Sequence, residues 1–203
     1  MASPEAYAPA ALAGRFLQVI EEDIVPKTRA GVAAGNKLFG AAILRKSDLS
    51  LVIAGTNAET ENPLFHGEVS TLNAFYRLPA ASRPAARDCL FLSTHEPCSL
   101  CLSAITWAGF DNFFYLFGYE ATRDAFNIPH DLRILQEVFG VEDGAYRREN
   151  AFWRSRFLVD LVSEAPQPER ASLAARVDAL AKTYAELSTA YQATKGSADI
   201  PLG

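Results

Sequence analysis

Apolar residues recur at helical spacing near both ends of this chain and gather in short continuous runs between them. Leu12, Phe16, Val19 and Ile20 mark one face of a helix that the pattern ends near Pro26, after an Ala/Pro/Ser-rich start. The runs 38–44 and 49–54 are of strand length and are separated by Arg45-Lys46-Ser47-Asp48, which predicts an antiparallel hairpin. Asn62-Pro63 restrains the entry to a second helix, expected over 66–76, with Val69, Leu72 and Phe75 on its buried face. Residues 90–94 are apolar enough for a central strand. Pro97 suits the start of the next helix, where the N–H it lacks has no intrahelical partner anyway. An aromatic run over 112–118 supplies another strand.

Beyond Glu120 the periods return to helical ones. Leu132, Leu135, Val138 and Phe139 predict a helix closed by Gly140, and Trp153, Phe157 and Leu161 predict another over 151–162. Pro166 and Pro168 then divide a main domain, 1–163, from a C-terminal helical extension, 164–203. In that extension Leu173, Val177, Leu180, Tyr184, Leu187 and Tyr191 alternate steps of four and three, a narrow seam that wants a second helix from the same chain or from a partner. The alternation of strands and helices predicts an α/β fold, a three-layer α-β-α sandwich on a central mixed sheet.

Composition narrows the function classes. A chain of 203 residues that is 49% hydrophobic has a core of ordinary domain size, and its net charge of -5 argues against an extended nucleic-acid surface. It has no run of about 20 apolar residues for a bilayer and no apolar leader over its first residues, so a cytoplasmic location is expected. Three cysteines make no disulfide framework.

Two short stretches carry chemistry. His66-Gly67-Glu68 and Pro97-Cys98-Ser99-Leu100-Cys101 together offer one imidazole and two thiolates, which would hold a tetrahedral zinc and leave its fourth position open to water. Glu68, two residues after the histidine, suits proton transfer to and from that water. Standing alone, Glu68 would read as a solvated helix-start carboxylate and Cys-x-x-Cys as a redox pair or half a structural zinc site; their joint occurrence is the signature of the zinc deaminases.

The run from Glu96 to Ala108 with Phe114-Tyr115, and Leu38-Phe39-Gly40-Ala41 before it, resembles the cytidine deaminase superfamily, within it the bacterial guanine deaminases and the tRNA adenosine deaminases. The resemblance implies a zinc deaminase domain over 1–163 with Zn2+ as cofactor. It implies hydrolytic deamination of a small aminated heterocycle, guanine first, or alternatively of tRNA adenosine; a non-catalytic zinc-supported interaction module is the reading outside enzymes. It also implies a substrate contact from Asn57, an acidic contact from Glu120 or Asp124, and a homodimer whose C-terminal segment caps a site. Each residue has a plainer alternative. For Asn57 it is support of the turn after its strand, and Phe39 and Phe65 either line a planar pocket or fill core. His95 stands as a pocket-wall or strand-end residue rather than a fourth ligand, and Phe152 and Trp153 as a lid or as helix packing.

Overall fold

Strands that are apolar on both faces set the architecture of the computed structural model, which describes residues 7–126, 128–196 and 200–201. Most of the Ala/Pro/Ser start, and part of the end of the C-terminal extension, lie outside the described residues. The strands are β1 (Gly40–Arg45), β2 (Leu51–Thr56), β3 (Cys89–His95), β4 (Asn112–Phe117) and β5 (Arg154–Phe157). They form one sheet in the order β2-β1-β3-β4-β5. β1 is antiparallel to both β2 and β3, while β3, β4 and β5 are parallel. It follows that β2 runs in the same direction as β3, β4 and β5. Four strands therefore end at one edge, and that edge carries the site.

The alternation of side chains across each strand sorts the core into two layers. Ala42, Leu44, Leu90, Leu92, Phe114 and Leu116 join one cluster, and Ala41, Ile43, Cys89, Phe91, Phe113 and Tyr115 join the other. The first layer is covered by α1 (Pro9–Val19), α2 (Val25–Ala33), α7 (Leu158–Glu164) and α8 (Glu169–Thr194); the second by α3 (Gly67–Arg77) and α4 (Ser99–Trp107). The result is the expected three-layer sandwich. Two further helices, α5 (Tyr119–Asp124) and α6 (His130–Phe139), follow β4, and α6 ends at Gly140 in the left-handed conformation that the sequence pattern foretold.

Three local expectations are corrected. The first helix does not end near Pro26: a π-helical stretch, Ile20–Ile24, carries the chain into α2, with Pro26 in its first turn. A proline has no N–H for the ladder, and the wider turn just before it accommodates that loss. Pro97 lies one residue before the cap of α4 rather than inside the helix, because Cys98 is its N-cap. Residues 154–157, expected as helix, instead pair with the free edge of β4. Their four-residue apolar spacing survives because Trp153 packs on Phe113 and Phe157 stacks on Tyr115.

The C-terminal seam is resolved within the chain. Leu173, Leu180, Tyr184, Leu187 and Tyr191 are buried, and α8 lies against α1, α2 and α7. Of the two coverings the seam admits, the same chain supplies this one.

Candidate active site

Strand direction brings the site together. The loop after β2 leads to α3, and the loop after β3 leads to α4, so both helices begin at the edge where β2 and β3 end. His66 is the N-cap of α3 and Cys98 the N-cap of α4. Two helix N-termini thus point at one spot, a setting that favours thiolates and other anions.

His66, Cys98 and Cys101 converge there, with their ligand atoms all within 4.8 Å of one another. Cys98 Sγ lies 3.6 Å from Cys101 Sγ, and His66 Nδ1 lies 3.4 and 3.8 Å from the two sulfurs. Ordinary Zn–S and Zn–N bonds at tetrahedral angles give edges of about 3.8 Å between two sulfurs and about 3.5 Å between nitrogen and sulfur. The three atoms match three corners of a zinc tetrahedron, so the residues fit the metal.

The electrostatics agree with that fit. The Cys98 thiol is held well below its usual value, first by its hydrogen bond with Cys101, against burial, and then by His66. Burial disfavours a charge on His66, yet the hydrogen bond and charge of Cys98, with Glu68 and Glu59 behind it, raise its pKa to about 9. A buried imidazole drawn toward its cationic form reports a negative field, and a divalent cation answers it.

Glu68 is buried on the first turn of α3. Its Oε1 accepts from Ser93 Oγ at 2.7 Å, and its Oε2 lies 3.2 Å from Cys101 Sγ. Burial raises its carboxyl above the usual range, with the charge of Cys98 adding to this and the Ser93 hydrogen bond opposing it. Gly67, between His66 and Glu68, packs directly on the backbone of β1 and of the residue before it: a Cβ there would stand 2.7 Å from Phe39 O and 2.9 Å from Gly40 N.

The other candidates divide. Asn57 is buried at the end of β2; its Oδ1 accepts from Gly67 N–H at 3.1 Å and its Nδ2 donates to Glu59 at 2.8 Å. Both ends of the carboxamide are thus used inside the protein. Phe65 is half-buried in the loop before His66, while Phe39 belongs to the core and meets His95 edge to face. Glu120 and Asp124 are exposed, and Asp124 pairs with the neighbouring Arg123. Neither reaches the cluster as the expected acidic contact to a substrate would: α5 leaves both on the surface. Trp153 donates to Thr106 at the C-terminal end of α4, opposite the end that bears Cys98, and Phe152 is exposed, so the two form no lid over the site.

Glu96 steadies the turn, accepting from Tyr119 N–H, Tyr146 and Arg148. Sequence reasoning missed Ser93, Lys37, Glu59 and Asp131. Asp131, in the first turn of α6, is a half-buried carboxylate on which the charges of Cys98, His66, Glu68 and Lys37 all act; burial holds it well above the usual carboxylate range. Its only sequence signal was its place at a helix start, where acidic residues are common.

His95 is buried in a box of Phe39, Phe117, Phe126 and Tyr184, with Nδ1 2.9 Å from Thr94 Oγ1 and no partner for Nε2 among the described residues. Burial alone lowers its pKa to about 3, from 6.5. The unfolded chain therefore gains a proton below about pH 6.5 that the folded chain refuses until about pH 3, and stability is lost as pH falls through that window. Between pH 7 and 5 the wild type is expected to lose about 2 kcal/mol more than His95→Leu, measured by denaturant titration. Equal losses in the two proteins would count against the neutral buried ring.

The chain is 34% identical to guanine deaminase of Bacillus subtilis (strain 168) over 88 residues, 42% of this chain and 54% of that protein, so it spans about half the length of the curated relative it matches. Among solved structures it is similar to guanine deaminase from Nitrosomonas europaea, at 20% identity and TM-score 0.46 over 90% of this chain and 86% of the other. The solved guanine deaminase from Bacillus subtilis gives 23% and 0.49 over 76% and 88%, and a tRNA:A34 deaminase gives 17% and 0.46 over 68% and 98%. Residues 19–117, which hold every ligand of the three-atom cluster and Glu68, match the cytidine and deoxycytidylate deaminase zinc-binding region.

Proposed function

We propose that this chain is a zinc-dependent hydrolytic deaminase of a small amino-substituted purine or related heterocycle, with guanine the first substrate to test. The observation that carries the reading is Glu68: a buried carboxylate aimed at the ligand cluster, 3.2 Å from Cys101 Sγ and bound to nothing that would neutralise it. A purely structural zinc site has no use for such a group. When bound, zinc supplies a Lewis acid that makes water acidic enough to lose a proton near neutral pH.

Glu68 Oε2, the oxygen turned toward Cys101 Sγ, receives a proton of the attacking water, while the Ser93 hydrogen bond keeps Oε1 in place. It gives that proton to a ring nitrogen, then takes the second proton from the newly added hydroxyl and gives it to the departing amine. The carbon that bore the amine gains the oxygen of water, the C–N bond breaks, and ammonia leaves. Asp131 is the acceptor best placed to take a hydrogen bond from an amino group of the substrate. The charges of Cys98, His66 and Glu68 act on it, and among the described residues no hydrogen bond or ion pair already holds its carboxylate.

The test is a screen of zinc-loaded protein against free bases, nucleosides and structured RNA, with ammonia measured and products weighed by mass spectrometry. Oxo product from a free purine is expected; turnover of structured RNA alone would replace this reading with tRNA adenosine deamination. Zinc uptake with no ammonia from any substrate would leave a binding module. The homodimer in this reading now rests on another face, where Trp107 and Leu100 of α4 and Tyr76 of α3 are exposed; sedimentation reads it. Among the described residues no helix is long and apolar enough to cross a membrane.

A further inference from the structure

The imidazole of His66 sets a requirement that the cysteines do not meet. Its Nδ1 faces both sulfurs, at 3.4 and 3.8 Å, so as a ligand it must present a lone pair on Nδ1. The proton of the neutral ring then sits on Nε2. A metal-bound histidine holds that tautomer, and the tilt of its ring, by giving its second N–H to an acceptor.

Nε2 lies 3.7 Å from Oε1 of Glu59, at ion-pair rather than hydrogen-bond distance. Glu59 is 2% exposed, although it belongs to the loop between β2 and α3. Its carboxylate is pinned by three donors. Lys37 Nζ donates to Oε1 at 2.9 Å, Lys37 N–H to Oε2 at 3.2 Å, and Asn57 Nδ2 to Oε2 at 2.8 Å. A buried carboxylate persists only when paired and hydrogen-bonded, and this one has both a buried lysine and two further donors.

The network also reaches the other side of His66. Asn57, which holds Oε2, accepts from the N–H of Gly67 through its Oδ1. The same residues thus fix the start of α3 and place an acceptor beside the one ring atom of His66 that needs one. A Lys37–Glu59 pair serving only to hold the loop would not require Oε1 to face Nε2.

We propose that Glu59 is a positioning residue of the metal centre: pinned by Lys37 and Asn57, its carboxylate is the acceptor for the Nε2–H of His66, which keeps the proton there and so fixes Nδ1 as the ligating nitrogen. This rests on the reading of His66, Cys98 and Cys101 as a zinc site, and it names a further part of that site.

The experiment measures metal affinity rather than turnover. Zinc affinity is obtained by competition with a chromophoric chelator, and the cobalt(II) spectrum of the substituted protein is recorded. The proteins are the wild type, Glu59→Gln, and the double variant Lys37→Met with Glu59→Gln. The double variant removes both buried charges with little change of shape, so its zinc-free thermal unfolding is expected to stay near that of the wild type. Zinc affinity is expected to fall about 10–100-fold in both variants, with a shifted cobalt spectrum, as loss of such a partner does elsewhere. Wild-type zinc affinity in the folded double variant would overturn the role of Glu59 and leave the centre standing. A wild-type chain that takes up neither zinc nor cobalt would overturn the centre and this role together.

Discussion

Replacing Glu68 with glutamine is expected to leave the protein folded and loaded with zinc while removing roughly 10²–10⁴-fold of its turnover. The substitution keeps the shape of the side chain, and the amide oxygen can still accept from Ser93 Oγ, so the start of α3 is not disturbed. Only the capacity to take up and release a proton is lost. Burial already raises the carboxyl of Glu68, which suits a group that must both receive a proton and part with it near neutral pH. Metal analysis together with ammonia release on the identified substrate checks this. Turnover within a few-fold of the wild type in a zinc-loaded variant would remove Glu68 from the mechanism.

Gly67→Ala is expected to damage the site through packing alone. The added methyl carbon would meet Phe39 O at 2.7 Å, Phe39 C at 2.8 Å and Gly40 N at 2.9 Å, all of them backbone atoms that cannot turn aside. The helix must back away from β1, or the backbone of β1 must yield, at a cost of about 1–3 kcal/mol. Either movement carries His66 and Glu68 with it, and strains the hydrogen bond from Gly67 N–H to Asn57. A displacement of about 1 Å at a reacting centre can lower the rate about 10²-fold. A lowered unfolding midpoint, weaker zinc retention and a fall in kcat of that order are therefore expected together. Unchanged stability and activity would show that α3 and β1 are less tightly apposed than these distances state.

What was legible in the chain is what depends on local chemistry. His66, Glu68, Cys98 and Cys101 could be joined before any fold was known, because three metal-binding side chains beside a carboxylate form a pattern that few other tasks require. The hairpin, the central strand and α3 could be read for a related reason: turn residues and apolar runs act within a few positions of the backbone they shape.

What escaped depends on neighbours distant in sequence. Residues 154–157 carry a four-residue apolar spacing that fits a helix, yet the unpaired edge of β4 claims their backbone as a strand. The seam of α8 fits a partner helix as well as its own chain, and only the position of α1, α2 and α7 decides between them. Glu120 and Asp124 have the right chemistry for an amine contact but are exposed, whereas Asp131, a few residues on, is half-buried and feels the charges of Cys98, His66 and Glu68. Lys37 and Glu59 look like ordinary loop charges until the loop after β2 folds inward and buries them against each other beside His66. The sequence by itself determined which atoms can bind a metal and move a proton, since those properties belong to single side chains and short spacings. The tertiary structure decided which charges lose their water, because desolvation depends on what the rest of the chain places above them.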